Sequence, residues 1–261
     1  MTSVWLGISL LALLLPHNVV AETAEEKGLR LVTKADELDT GWGDQFARLK
    51  MVLRNRHGET SERLNHSTTL EVTGDGDKSL IVFDTPKDVK GTAFLSHTHA
   101  VKPDDQWLYL PALKRVKRIS SSNKSGPFVG SEFAYEDLAS QEIEKYKYKF
   151  IKDGEFEGKP TYVIEQYPQY RHSGYKRQVV WLDKEIYRPL KVEFYDRKNA
   201  LLKTLTNHEY KRYLDKYWRP DRMEMVNHLT GKSTTLYWLE YKFGLGLSDK
   251  DFHRNALKRA R

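Results

Sequence analysis

The chain has 261 residues, 39% of them hydrophobic, no cysteine, and 43 Lys and Arg against 36 Asp and Glu, for a formal net charge of +7. The missing cysteine excludes a disulfide framework and a lipid anchor on an N-terminal Cys, so stability must come from a hydrophobic core, which a chain of this length can build. The basic excess favours anionic partners such as phospholipid headgroups, lipopolysaccharide or an acidic protein surface.

Residues 1–21 contain no Asp, Glu, Lys or Arg. An apolar core over residues 4–15 ends at Pro16, and Val19-Val20-Ala21 has the small or moderate side chains that a signal peptidase reads. A secretory signal cleaved after Ala21 is predicted, leaving residues 22–261 as one soluble domain in the periplasm. The apolar run is too short to span a bilayer, which takes roughly 20 residues. Export also argues against nucleic acid as the partner, although the charge would suit it.

A helix is predicted over residues 25–39, where Leu29, Val32, Ala35 and Leu38 recur near a spacing of three and Gly41 lies just beyond. From residue 44 the pattern becomes that of strands. Residues 45–55 lead through RHGE to residues 60–72, and TGDGD leads to residues 79–83, both turns being hairpin signals. Strands follow over residues 146–151, 161–166, 175–182, 190–195, 201–213, 222–229 and 233–243. In one of them Leu190, Val192 and Phe194 alternate with Lys191, Glu193 and Tyr195, the signature of a sheet with two different faces. Asp249 opens a short final segment carrying Phe252 and Leu257. The fold class is therefore mainly β (α+β), a strongly curved antiparallel half-barrel of about ten to eleven strands, undivided by any linker.

Residues 80–138 form the most distinctive stretch. The apolar runs LIVF, TAFL and WLYL alternate with polar turns, and the basic KRVKR, the link GPFVG and the cluster FAYEDL come after them. The phrases GDKSLIVFDTPKDVKGTAFL, DDQWLYLPALKRVKRI and FVGSEFAYEDL, with GYKRQVVWLDKEIYRPLKVEFYD and WRPDRMEMVNHLTGKSTTL further on, resemble in order and spacing the periplasmic outer-membrane lipoprotein-sorting proteins of LolA/LolB-like fold. That resemblance implies a half-barrel whose apolar concave face is covered by an N-terminal lid helix and short helices. It also implies a carrier or presenter of lipid or lipoprotein acyl chains, associated in some members with RND/MmpL-type exporters. The chain departs from the family pattern in the turn RKNA after VEFYD, where a Gly-containing turn is more usual, and in the two histidines of TAFLSHTHAVKPDD.

Burying an acyl chain is worth about 0.8 kcal/mol per CH₂, so a chain of ~16 carbons represents on the order of 10 kcal/mol and demands a sizeable sheltered concavity. Leu29, Val32 and Leu38 are the lid candidates, and Trp107, Tyr109, Phe128, Phe133 and Tyr135 are candidates for the cavity wall or mouth, although an apolar lining and an apolar core look alike in sequence. Lys114, Arg115, Lys117 and Arg118 are candidates for headgroup or partner contact, with ion pairs to Glu132, Glu136 or Asp137 as the alternative. His97 and His99 place two rings on one face of a strand, but zinc takes three or four protein ligands, and Asp104 or Asp105 would have to fold back to help. Neither a metal site nor a cofactor is expected. No G-x-S-x-G or H-E-x-x-H pattern occurs, so a non-enzymatic, monomeric carrier is the leading reading. The alternative is an accessory interaction protein of an RND-type exporter, docking through its basic surface without a carrier cycle of its own.

Overall fold

The computed structural model describes residues 21–259. Residues 1–20 of the expected signal segment lie outside the described residues. Among the described residues, one α-helix, α1 (Ala24–Asp39), is followed by thirteen strands in a single antiparallel sheet. The strands are β1 (Asp44–Arg54), β2 (Thr60–Leu70), β3 (Lys78–Thr85), β4 (Ala93–His97), β5 (Asp105–Leu110), β6 (Arg115–Ile119), β7 (Tyr146–Phe156), β8 (Lys159–Pro168), β9 (Tyr175–Asp183), β10 (Pro189–Asp196), β11 (Leu201–Tyr213), β12 (Tyr217–Asn227) and β13 (Lys232–Phe243). The expected ten to eleven strands are thus too few. The shortfall lies in β4, β5 and β6, which are only five, six and five residues long and sit close together in the least regular stretch of sequence.

Sheet order explains that stretch. The order is β6-β5-β4-β3-β2-β1-β13-β12-β11-β10-β9-β8-β7. Two meanders, β1–β6 and β7–β13, join where the first strand pairs with the last, from Gln45↔Phe243 to Arg54↔Ser233. The two outer edges, β6 and β7, are therefore consecutive in the chain. Residues 120–145 must travel from one edge of the sheet to the other, and they do so across its inner face. Phe128 and Phe133 of this connection share a core with Met51, Phe83, Phe94, Leu108, Ile119, Tyr175, Phe194 and Met225. A single segment can touch strands from both halves of so wide a sheet only if the sheet curves around it.

A connection buried in this way must find partners for its own backbone groups. Polar side chains from the inner face provide them. Gln106 Nε2 donates to Tyr135 O (3.0 Å), Lys203 Nζ to Glu132 O (3.1 Å), and Thr234 Oγ1 accepts from Glu132 N (3.0 Å). Asp104 holds both ends of the connection, pairing with Lys124 (3.1 Å) and with Lys145.

α1 begins with a capping box between Thr23 and Glu26 and lies directly on β7. A Cβ at Gly28 would come within 2.8 Å of Phe150 N and 2.9 Å of Lys149 N, so the absence of a side chain sets the approach. Leu31 is buried there with Tyr148, Ile164 and Leu182. On the outer face of β3–β6, the 3₁₀ turns Asp249–Phe252 and Arg254–Lys258 press Phe252 and Leu257 onto Val82, Ala93 and Leu95. The RKNA turn needs no glycine, because Asn199 takes the left-handed conformation itself (φ +66°) and Asp196 Oδ1 accepts from Lys198 N and Ala200 N at 2.9 Å each.

Candidate functional site

The connection packs the β1–β6 half of the inner face and leaves space on the other half. A cavity of about 590 Å³ opens between α1, the β2–β3 turn, residues 140–144 and strands β8–β10. Its apolar wall is Val32, Ala35, Ile143, Ile164, Val180 and Leu182. A second chamber of about 190 Å³ lies deeper, against Phe133, Tyr175, Phe194, Leu205 and Met223. Ser140, Gln141, Gln166, Pro189 and Val192 line both chambers, which therefore lie side by side across these five residues. The larger chamber alone falls within the ~300–1,000 Å³ typical of small-molecule sites.

The polar lining is uneven. The larger chamber carries Asp36 and Asp39 from α1, Glu71, Asp75 and Asp77 from the β2–β3 turn, and Glu142 and Glu144 from the end of the connection, against one cation, Arg188. Asp39 pairs with Arg188 (3.2 Å) and Arg219 (2.6 Å), Asp75 with His99 (2.8 Å), and Glu71 accepts from Gly41 N and Gly43 N at 2.7 Å each. Burial pushes the Asp77 carboxyl up to about 7, with repulsion from Glu142, Glu71 and Asp39 adding to it while the Val72 N–H opposes. Burial likewise raises Glu142 and Asp36, each further repelled by Glu144.

Of the lid residues named from sequence, Val32 faces the cavity, Leu38 is half-buried outside it, and Leu29 is 46% exposed. The spacing-of-three reading put Leu29 on the packed face. At 3.6 residues per turn that face runs through Gly28, Leu31, Val32 and Ala35 instead. Phe128, Phe133 and Tyr135 belong to the connection, and Phe133 borders the inner chamber. Trp107 and Tyr109 point the opposite way from Leu108 and pack with the C-terminal turns on the outer face, away from both chambers.

In the basic run, Arg115 to Arg118 form part of the edge strand β6, and Lys114 precedes it in the left-handed conformation (φ 49°). Lys114, Arg115, Lys117 and Arg118 are all exposed. Arg118 pairs with Asp105. The carboxylates suggested as partners are engaged elsewhere: Glu132 with Asn227, Glu136 with Tyr170, Ser173 and Gly174 N, and Asp137 with Lys203 and Tyr175. His97 Nε2 is 2.8 Å from Phe252 O, with its ring edge-on to Trp107, while His99 turns toward Asp75, so the two imidazoles serve different contacts. No group of three or more metal-ligating side chains occurs among the described residues.

A family model described as an uncharacterised protein matches residues 75–259. A solved structure described as an outer membrane lipoprotein-sorting protein domain from Vibrio parahaemolyticus is 60% identical, with a TM-score of 0.89 over 90% of this chain and 100% of that one. The chain belongs to the outer membrane lipoprotein-sorting protein family. A DUF1329 family protein from Desulfovibrio piger aligns with this sorting-family chain at 29% identity and a TM-score of 0.85, covering 90% of this chain and 99% of that one. A LolA superfamily protein from Nitrosomonas europaea, 22% identical with a TM-score of 0.71 over 90% of this chain and 100% of that one, shares the fold. No curated protein matches the chain.

The acidic mouth and the buried polar contacts of the connection escaped sequence reading. Their members come from segments far apart in the chain, and TGDGD reads as an ordinary turn until α1 and residues 140–144 are placed beside it.

Proposed function

We propose that this protein is a non-enzymatic periplasmic carrier or presenter of a lipid, a lipoprotein or another hydrophobic molecule. The apolar part of the ligand sits in the larger chamber, with α1 as its cover. The observation that supports this most is the 590 Å³ chamber with its apolar wall, beside a 190 Å³ chamber that shares Val192 with it, in a half-barrel otherwise packed by its own connection. Kinship with a lipoprotein-sorting domain points the same way. The exposed residues Lys114, Arg115 and Lys117 favour a second role for the edge strand β6, that of contact with a membrane surface or with an RND-type exporter.

Native mass spectrometry of protein purified from its own periplasm tests the carrier reading. Bound lipid is expected in the wild type and lost in Val192→Trp, whose larger side chain intrudes on both chambers; Val180→Phe narrows the outer chamber and serves as a milder variant. Wild-type protein free of lipid under conditions that keep it folded would refute the proposal.

A further inference from the structure

Neighbouring strands alternate in direction, so the turns between them fall on two opposite rims of the sheet. One rim carries the turns β1–β2, β3–β4, β5–β6, β8–β9, β10–β11 and β12–β13, and the other carries β2–β3, β4–β5, β7–β8, β9–β10 and β11–β12. The residues between strands include seven Lys and Arg against two acidic side chains on the first rim, and seven acidic against four basic on the second. The net charge of +7 is thus divided unevenly along the strands.

The bases of the first rim are free. Arg56, Lys87, Lys90, Lys114, Arg171 and Lys198 are all exposed, and none has an ion-pair partner among the described residues, in contrast to Arg118 on Asp105. Two of the turns are in contact, since a Cβ on Gly91 would lie 3.8 Å from Pro111 Cγ. The β3–β4 turn is anchored by Val89 in the inner core and by Lys90 N donating to Pro86 O (2.9 Å). Beside it Leu113, 63% exposed, ends the 3₁₀ turn Pro111–Leu113, and Leu229, 65% exposed, stands in the β12–β13 turn of the same rim. Charge on an edge strand deters pairing with another sheet, which accounts for Lys117 in β6 but not for bases on the turns of other hairpins. Protein interfaces are organised around a packed centre, whereas these leucines stand singly among charges. Headgroups that diffuse to meet each base, with shallow insertion of a lone apolar side chain between them, match this pattern.

We propose that this rim docks on an anionic phospholipid bilayer, with Leu113 entering the headgroup region and Lys87, Lys90, Lys114 and Arg115 around it. The proposal rests on the contact role given above to β6, for which it selects one partner, and is independent of what the cavity holds. The larger chamber is bordered by the β2–β3 and β9–β10 turns of the opposite rim, so docking turns it toward the aqueous side.

The test is co-sedimentation of the purified protein with phosphatidylcholine vesicles and with vesicles that also contain phosphatidylglycerol. Binding to the anionic vesicles is expected to be about tenfold stronger or better and to fall as salt is raised. Each base at such a surface is worth about fivefold, so Lys87→Gln/Lys114→Gln should weaken binding about 25-fold. Lys159→Gln/Lys216→Gln removes the same charge from exposed positions at the opposite ends of the strands, roughly 30 Å away, and should stay within about twofold. Equal weakening by the two pairs would reduce the effect to net charge and overturn the rim. Leu113→Ser should weaken binding by about tenfold, and unaltered binding would strike the insertion. Equal binding to both kinds of vesicle overturns the anionic headgroup. Failure to sediment with either, which points to an acidic protein face instead, overturns the bilayer as partner and leaves the carrier reading to be judged by the lipid found in mass spectrometry.

Discussion

Asp77 gives the most direct measure of the electrostatic cost of the mouth. Its Oδ1 accepts from Val72 N (3.3 Å), its own N–H donates to Ser140 Oγ (3.2 Å), and its carboxyl faces Glu71, Glu142 and Asp39. Burial first, and these neighbours second, raise it from 3.8 to about 7. A carboxyl raised in the folded state keeps a proton that the unfolded chain has released. Its contribution to stability is therefore full below the unfolded value near 4 and is lost as pH rises through the folded value near 7. At 1.36 kcal/mol per pH unit, the loss between pH 5 and pH 7 has a ceiling of about 3 kcal/mol, which partial solvation of the site should reduce to on the order of 1–2 kcal/mol. Asp77→Asn keeps the shape and can still accept from Val72 N, but it has no charge to suppress. The variant's advantage over the wild type should grow by that amount between pH 5 and pH 8, or about 2–8 °C in Tm for a domain of this size. Thermal unfolding of both proteins at the two pH values gives the double difference, which removes the other titrating groups. A difference between variant and wild type that does not grow from pH 5 to pH 8 would refute the reasoning.

Gly28→Ala should lift α1 from β7, because the obstructing atoms are the backbone nitrogens of Lys149 and Phe150 and cannot swing aside. Loss of the Leu31 contact should cost about 2–3 kcal/mol and open α1 to limited proteolysis, and unchanged protection would contradict the close approach. Phe128→Ala removes a ring that is 1% exposed and packed against Phe83, Phe94 and Tyr135; chemical denaturation should show a loss of about 3–5 kcal/mol, and a loss under 1 would mean that the connection is not a packed part of the core. Lys203→Met strands Asp137, in a pair whose side chains are only 4% and 6% exposed, and should cost about 3–5 kcal/mol. Adding Asp137→Leu should recover part of that loss, and a double variant as unstable as the single would show that Asp137 matters chiefly for Tyr175 and the backbone.

The hairpins were legible because each strand pair is local and carries its own turn signal, as in RHGE between β1 and β2. The helix was legible as an element but not in its exact facing. Leu29 and Leu31 are equally apolar, and only contact with β7 at Gly28 decides between them. Trp107 and Tyr109 could be given a common face by alternation, but not the correct one. TAFL and WLYL are apolar on both sides because the connection covers one face of β4 and β5 and the C-terminal turns cover the other. Continuous apolar runs of this kind carry no sign of which side is concave. Nor could the sequence reveal that the acidic residues of TGDGD, α1 and residues 142–144 meet, since that follows only from the order of the strands.

The same order bears on how the cavity works. Because the first and last strands pair at the centre, the chain has to return through its own interior, and the length of that return determines how much interior is left. The return ends in a fixed position. Ser140 receives Asp77 N–H (3.2 Å), donates its own N–H to Thr98 Oγ1 (3.2 Å) and its hydroxyl to Glu142 Oε1 (2.7 Å). Gly76 lies so close to Thr98 that a Cβ would fall 2.6 Å from its carbonyl carbon. The partition between the chambers is thus tied to two turns of the sheet and to Asp104 through Lys145. α1 is fastened at its far end as well, by Asp39 to Arg188 (3.2 Å) and Arg219 (2.6 Å) and by Arg188 Nη2 donating to Ala35 O (2.8 Å), with Leu31 buried midway and Lys149–Glu25 at the exposed rim.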